Sequence, residues 1–229
     1  MISERQFLRG YSHFWHQQFP GLDELYRSVR MQGIDHPGME RWAELYAGNV
    51  PARWNDIIAE ISFNVFANAI QSPGQTPTVT EEEIKSAIVK MGLIRGVALQ
   101  RSELGDPLLQ DASEIARRLT TFFEEKSGLQ VHHRLKGFGI LNSLHPDVMA
   151  EKNIYEVKAS RHPLKKEDLK QVLTYYLLAL LNGLGIDKLC IVNPRRGTLY
   201  TMESDKLPAL LGSPQLAILK QRFRDTLLD

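Results

Sequence analysis

Three residues of this chain have the types and spacing to do chemistry: Asp147, Glu156 and Lys158. They lie in the stretch HPDVMAEKNIYEVKAS, residues 145–160. Glu156 and Lys158 stand two apart in the β-prone run Ile154-Tyr155-Glu156-Val157-Lys158-Ala159. In a strand they share one face, while Tyr155, Val157 and Ala159 take the other. Glu151-Lys152-Asn153 supplies a turn back to a short strand over Asp147–Ala150. With a loop of two or four residues, Asp147 falls opposite Lys158 and diagonal to Glu156 on one face. A three-residue loop would send it to the other face.

Two converging carboxylates must share a proton or hold a cation. Hard oxygen ligands suit Mg²⁺ or Mn²⁺, and such an ion can polarise a phosphodiester and lower the pKa of an attacking water. Lys158 would aim its ammonium at that water or at the charge developing on phosphorus. The same residues also fit a half-solvated hairpin carrying an ion pair worth about 0–1 kcal/mol.

The elements that must position these residues can be read from periodicity. Ser113 to Lys126 is helical with Gly128 as its stop, and Gly105-Asp106-Pro107 is a break before it. Strand-like pieces follow at Val131–Phe138, Asp147–Ala150 and Ile154–Ala159. A long helix runs from about Lys165 to Leu184. Strands at Lys188–Val192 and Thr198–Met202 flank the turn Asn193-Pro194-Arg195-Arg196-Gly197, and an amphipathic helix closes the chain over Leu216–Leu228. The first hundred residues read as helix, with Phe7, Tyr11, Phe14 and Trp15 on one helical stripe and Ile58, Ile61, Val65, Phe66 and Ile70 on another. Thr80 and Glu83 form a capping box. Trp15, Trp42 and Trp54 read as core, and Ser72-Pro73-Gly74-Gln75-Thr76-Pro77 as a loop. The expectation is an α/β protein: a helical region over 1–105 and an α/β core over 106–229.

Composition bounds the function. The 229 residues carry a net charge of only +1, so any basic surface is local. The single cysteine, Cys190, lies in an apolar run and excludes a disulfide framework or a multi-cysteine metal site. Without an apolar leader or an 18-residue apolar stretch, the expected setting is cytoplasmic, with no membrane partner. No Gly-x-x-x-x-Gly-Lys-Ser/Thr or Gly-x-Ser-x-Gly pattern appears. The adjacent His132 and His133 face opposite sides of a strand, which suits shared ligation poorly.

Pro146-Asp147, followed after eight residues by Glu156-Val157-Lys158, resembles the PD-(D/E)XK nuclease superfamily. Gln171-Val172-Leu173-Thr174-Tyr175 on the next helix is similar to the Gln-x-x-x-Tyr element of its RecB-like branch. The resemblance covers roughly the second half of the chain and implies a restriction-endonuclease-like core, with a mixed central sheet flanked by helices, and a divalent-metal-dependent DNA nuclease. It implies Asp147 and Glu156 as ligands of Mg²⁺ or Mn²⁺, the Val157 carbonyl as a third, and Lys158 as the catalytic lysine. Gln171 and Tyr175, at i and i+4 on one helix face, would reach the site, although Tyr175 equally suits core packing. The family often adds an acid from the helix before the first strand. Glu114 is the best match, with Glu124 and Glu125 as rivals. Members of this kind commonly serve bacterial restriction or phage defence. The chain departs from many RecB-like members in lacking a glycine shortly before the aspartate.

Six Lys or Arg stand against three acids between Lys152 and Lys170. Arg161, Lys165 and Lys166, at a helix start, are candidate DNA contacts, and Arg195 and Arg196 are weaker ones. DNA is the expected partner, together with a second copy of the chain or a subunit such as a separate ATPase or helicase. The competing reading is a non-catalytic nuclease-fold subunit that binds DNA or a partner protein.

Overall fold

The computed structural model describes residues 1–31, 34–35, 54–72, 77–95, 100, 102, 104–213 and 215–228. Trp42 and residues 73–76 of the expected loop lie outside them. In chain order the elements are α1 (Glu4–Gly10), α2 (Ser12–Gln18), α3 (Leu22–Met31), β1 (Ile34–Asp35), α4 (Asn55–Gln71), α5 (Glu81–Arg95) and α6 (Asp106–Phe123). There follow β2 (Gln130–Val131), β3 (Val148–Ala150), β4 (Asn153–Val157), α7 (Lys166–Leu181), β5 (Lys188–Asn193), β6 (Thr198–Glu203), α8 (Leu207–Leu210) and α9 (Leu216–Leu228).

The strands form one open mixed sheet in the order β1-β6-β5-β4-β3-β2. β4 and β5 run parallel and every other neighbouring pair runs antiparallel. A parallel pair requires a crossover, and α7 supplies it. β5, whose residues after Lys188 are all buried, sits mid-sheet as its apolar sequence Leu-Cys-Ile-Val demands. α7 is buried on most of its circumference, because the sheet lies on one side and α1, α3 and α9 on the others.

Two hydrophobic clusters cover the two faces of the sheet. One joins Phe7, Trp15 and Leu25 of the first helices to Ile154, α7 and Phe223 of α9. The other joins α4 and α6 to Val148, Tyr155 and Val192. Both clusters draw on residues from either side of position 105. The expected division there runs through packed core, so the early helices are layers of one α/β/α assembly. The first half is also not wholly helical, since β1 pairs with β6.

Local chemistry explains most element boundaries. Thr80 and Glu83 close the expected capping box on α5. α6 begins at Asp106, earlier than the sequence suggests, because Pro107 occupies its first turn, where a missing N–H costs nothing. The strand expected over Val131–Phe138 stops at Val131. His132 turns to φ 53, and residues 135–144 fold back on themselves through the Leu135–Leu144 and Phe138–Leu141 bridges.

The β3–β4 hairpin turns on two residues, Glu151 and Lys152, both at positive φ as a tight hairpin turn requires. Asn153 belongs to the strand. Val148 pairs with Tyr155 and Ala150 with Asn153. That register, continued by one step, sets Asp147 across from Glu156, with Lys158 as the diagonal. The expected pairing is therefore displaced by two residues. A two-residue slip conserves side-chain direction, so all three remain on one face.

Candidate metal and hydrolytic centre

Asp147 precedes β3, Glu156 lies within β4, and Lys158 follows its last residue. The backbone N–H of Val157 donates to Asp147 Oδ2 at 2.7 Å, which locks that carboxylate against the neighbouring strand. Lys158 Nζ lies 2.8 Å from Glu156 Oε1 and 3.7 Å from Asp168 Oδ1. It also donates to Gln171 Oε1 at 2.6 Å. Gln171 Nε2 donates to the Tyr175 hydroxyl at 2.9 Å, and that hydroxyl donates to Glu4 Oε2 at 2.7 Å. The i, i+4 spacing of Gln171 and Tyr175 thus aligns both on the face of α7 turned to the strand end.

Glu156 is 3 % exposed, and among the described residues its Oε2 has no hydrogen-bond partner. Burial pushes its carboxyl well above the usual range, and the Asp147 charge pushes it further. Burial raises Asp147 as well, against the Val157 N–H. Burial opposes the Lys158 charge, but Glu156 and Asp168 outweigh it and hold the ammonium above the ordinary lysine range. Burial carries Glu4 up to about 7, partly offset by the Tyr175 hydroxyl. The centre has more buried acid than buried base.

A cleft of about 520 Å³ opens onto these groups. Asp147, Glu156, Val157 and Lys158 form one side. Asn55, Asp56, Glu60 and Phe63 of α4 with Lys90 and Met91 of α5 form another, and His132, His162 and Lys165 also line it. Glu60 and Lys90 pair at 2.6 Å across the two helices. His132 is held below its usual pKa by burial and by Lys90.

Among the described residues, no three His, Cys, Asp or Glu side chains converge tightly enough to ligate an ion by themselves. Mg²⁺ does not require that. It is commonly held by one or two carboxylates, with water and substrate oxygens completing an octahedron. Two facing carboxylates, one with an unpartnered buried oxygen and both reluctant to ionise together, fit such an ion. Val157, whose carbonyl is the expected third ligand, follows Glu156 directly.

Other expected site residues are placed elsewhere. Glu114 lines a separate cleft with Asp106, Leu109 and Arg117. Arg117 and Arg118, three and four positions further along α6, take its carboxylate at 2.7 and 2.9 Å, and Arg117 above all holds its pKa down. It is a structural ion pair and not a third acid of the centre. Arg195 is buried, with its guanidinium 2.7 Å from Asp111 and its Nε donating to the Ala159 carbonyl, so it cannot reach a phosphate. Lys166 pairs with Asp23. Lys165 and Arg196 are exposed, and Arg196 donates to the Arg161 carbonyl at 3.0 Å. Of these, Lys165 lines the cleft, and Arg161 lies between its lining residues Ser160 and His162.

Sequence reading missed Glu4 and Asp168. Glu4 lies three residues before Phe7 on the stripe that continues through Tyr11 and Phe14. An acid in line with a buried stripe is itself a signal. Asp168 was visible only as a first-turn acid of α7, where it caps the Lys165 N–H at 2.9 Å. No protein-family model matches the chain, and no curated protein is significantly similar to it. Among the described residues no helix is long and apolar enough to cross a membrane.

Proposed function

We infer that the protein is a divalent-metal-dependent nuclease of the PD-(D/E)XK kind, hydrolysing phosphodiester bonds of DNA on a restriction-endonuclease-like core. The observation that carries this reading is the buried, unpartnered Glu156 Oε2, set across from Asp147 and beside a charged lysine in an open cleft. Such a cluster is costly unless its two acids share a proton or a cation takes up their charge, and the open cleft gives a cation access.

Asp147 and Glu156 would hold Mg²⁺ or Mn²⁺ with the Val157 carbonyl. The bound ion would supply Lewis acidity toward the phosphate and a more acidic water. Lys158 keeps its proton, so it acts as a donor: it orients the attacking water and stabilises charge on the phosphate oxygens. The water oxygen bonds to phosphorus and gives up its proton to solvent, the phosphorus–oxygen ester bond breaks, and the leaving oxygen takes a proton from solvent. Gln171 fixes the lysine's direction. Arg161, Lys165 and Arg196 would contact the flanking phosphates of a strand.

The test is cleavage of a plasmid and of a short duplex with Mg²⁺ or Mn²⁺, set against the Glu156→Gln and Lys158→Ala variants. Each variant is expected to lose about 10²–10³-fold in rate, while the parent gains thermal stability on adding Mn²⁺ and Glu156→Gln does not. Variants that cut as well as the parent would sink the assignment. A parent that binds DNA without cutting, in both metals, would favour the non-catalytic subunit.

A further inference from the structure

The hydrogen-bond chain behind Lys158 has a direction, and one residue sets it. Lys158 Nζ can only donate, so Gln171 must present its oxygen. The Gln171 amide then points its NH₂ at Tyr175, whose hydroxyl accepts and must send its single proton onward. The acceptor at the end is Glu4 Oε2. Tyr175 is 3 % exposed, so water offers its hydroxyl little alternative.

We propose that Glu4 is a positioning residue that fixes the polarity of this chain and thereby the aim of Lys158, making the first helix a working part of the centre. The proposal rests on Lys158 being the catalytic lysine of the nuclease inferred above. Without an acceptor at position 4, the buried phenol proton turns back on the Gln171 amide, the other side chain bonded to that hydroxyl. The amide can satisfy that proton only by sharing or rotating, and rotation brings its NH₂ against the Lys158 ammonium, donor against donor. Lys158 is left to Glu156 and Asp168, the two acids that draw it away from that aim.

The fold takes evident steps to deliver Glu4. The Ile2 N–H donates to the Ile140 carbonyl at 2.6 Å, and the Asn142 N–H donates to the Ile2 carbonyl at 3.0 Å, so the segment before α1 is held like a strand. Ser3 and Gln6 close a reciprocal capping box around the helix start. Phe7, fully buried, stacks on Tyr11 and meets Phe223 edge-on. Three anchors thus fix a helix of seven residues that carries its acid to α7.

The experiment reads Lys158 itself. The full chain is treated briefly with an amine-acetylating reagent at pH 8, and labelling of Lys158 is measured by peptide mass spectrometry relative to Lys188. Glu4→Ala is expected to raise that ratio about five-fold, the worth of one hydrogen bond. Tyr175→Phe removes the phenol proton and leaves the Gln171 oxygen to Lys158, so added to Glu4→Ala it is expected to bring the ratio back to within about two-fold of the parent. Glu4→Gln, whose amide oxygen still accepts, is expected to rescue it likewise. In cleavage assays Glu4→Ala should lower kcat about ten-fold with KM unchanged, and adding Tyr175→Phe should recover most of that loss. Glu4→Leu, which keeps the side-chain bulk without an acceptor, should label as Glu4→Ala does and decides the matter where Glu4→Ala folds poorly. The proposal is overturned if Glu4→Ala and Glu4→Leu leave the labelling ratio at the parent value, if Glu4→Gln labels as fast as Glu4→Ala, or if adding Tyr175→Phe to Glu4→Ala leaves the ratio raised. A parent that shows the expected labelling pattern but never cleaves supports the relay and removes the nuclease reading instead.

Discussion

Two groups of buried charge sit within this fold, and they are built to opposite rules. At the β5–β6 turn, Asp111 meets Arg195 at 2.7 Å, and Glu114 meets Arg117 and Arg118, with Arg118 also donating to the Pro194 carbonyl at 3.1 Å. Each acid there has a cation within 2.9 Å, although Asp111 and Arg195 meet as charges without an aligned hydrogen bond, and the set ties α6 to the strand ends. Around Lys158, three half-buried or buried acids (Glu4, Asp147 and Glu156) crowd one ammonium, with Asp168 further off. The balanced group is scaffold. The unbalanced one raises its own acids' pKa values and waits on charge from outside. The two are joined, since Arg195 Nε holds the Ala159 carbonyl, one residue beyond Lys158.

That contrast can be broken by substitutions of opposite sign. Removing a cation from the balanced group should be the most damaging. Arg195→Ala strands the buried Asp111 charge and should cost about 3–5 kcal/mol in urea unfolding, and a loss below about 1 kcal/mol would deny the group its scaffolding role. The unbalanced group should behave in reverse. Glu156→Gln at pH 8 without divalent ions should stabilise the fold by roughly 1–2 kcal/mol, whereas Asp111→Asn should weaken it. If the two changes shift the urea midpoint in the same direction, the distinction fails.

The pH dependence follows with its sign. Glu4 is raised from 4.5 to about 7, and burial with the Asp147 charge pushes Glu156 up as well. At these two groups the folded state therefore binds more protons than the unfolded chain, and they make stability fall as pH rises from about 4.5 through about 7. The melting temperature in chelator should drop by roughly 3–8 °C between pH 5.5 and pH 8. Mg²⁺ should recover more of it at the higher pH. A melting temperature that climbs over this interval would contradict the burial of these acids. The smallest effect lies at the hairpin turn. Lys152 at φ 60 sits where glycine is favoured, so Lys152→Gly should stabilise by up to ~1 kcal/mol in the same urea assay without changing the rate of cleavage.

Local periodicity made a large part of this legible. Asp147, Glu156 and Lys158 could be assigned to one face because strand direction depends only on parity, which survived a two-residue error in register. Gln171 and Tyr175 were legible because helical spacing is local. The closing helix Leu216–Leu228 was readable to the residue. Glu4 was not, because 171 positions separate it from Tyr175 and only the packing of α1 on α7 brings them together. Arg195 misled because a Pro-Arg-Arg-Gly turn suggests solvent, and nothing local reveals that Asp111 waits beneath it. Glu114 misled despite a warning in plain view: arginines three and four positions on are its natural partners. The early helices read as a separate region because their stripes do not say which surface they cover.

The shortness of β2 has a consequence for the molecule in a crowded solution. An outermost strand with a long run of unpaired amides is a template on which another chain can grow, and many sheet proteins blunt it with charge or proline. Here the rail ends after Gln130 and Val131, where His132 swings to the left-handed region and the following segment hydrogen-bonds to itself. A backbone kink in the cleft lining thereby also guards the sheet on this side against edge-to-edge polymerisation.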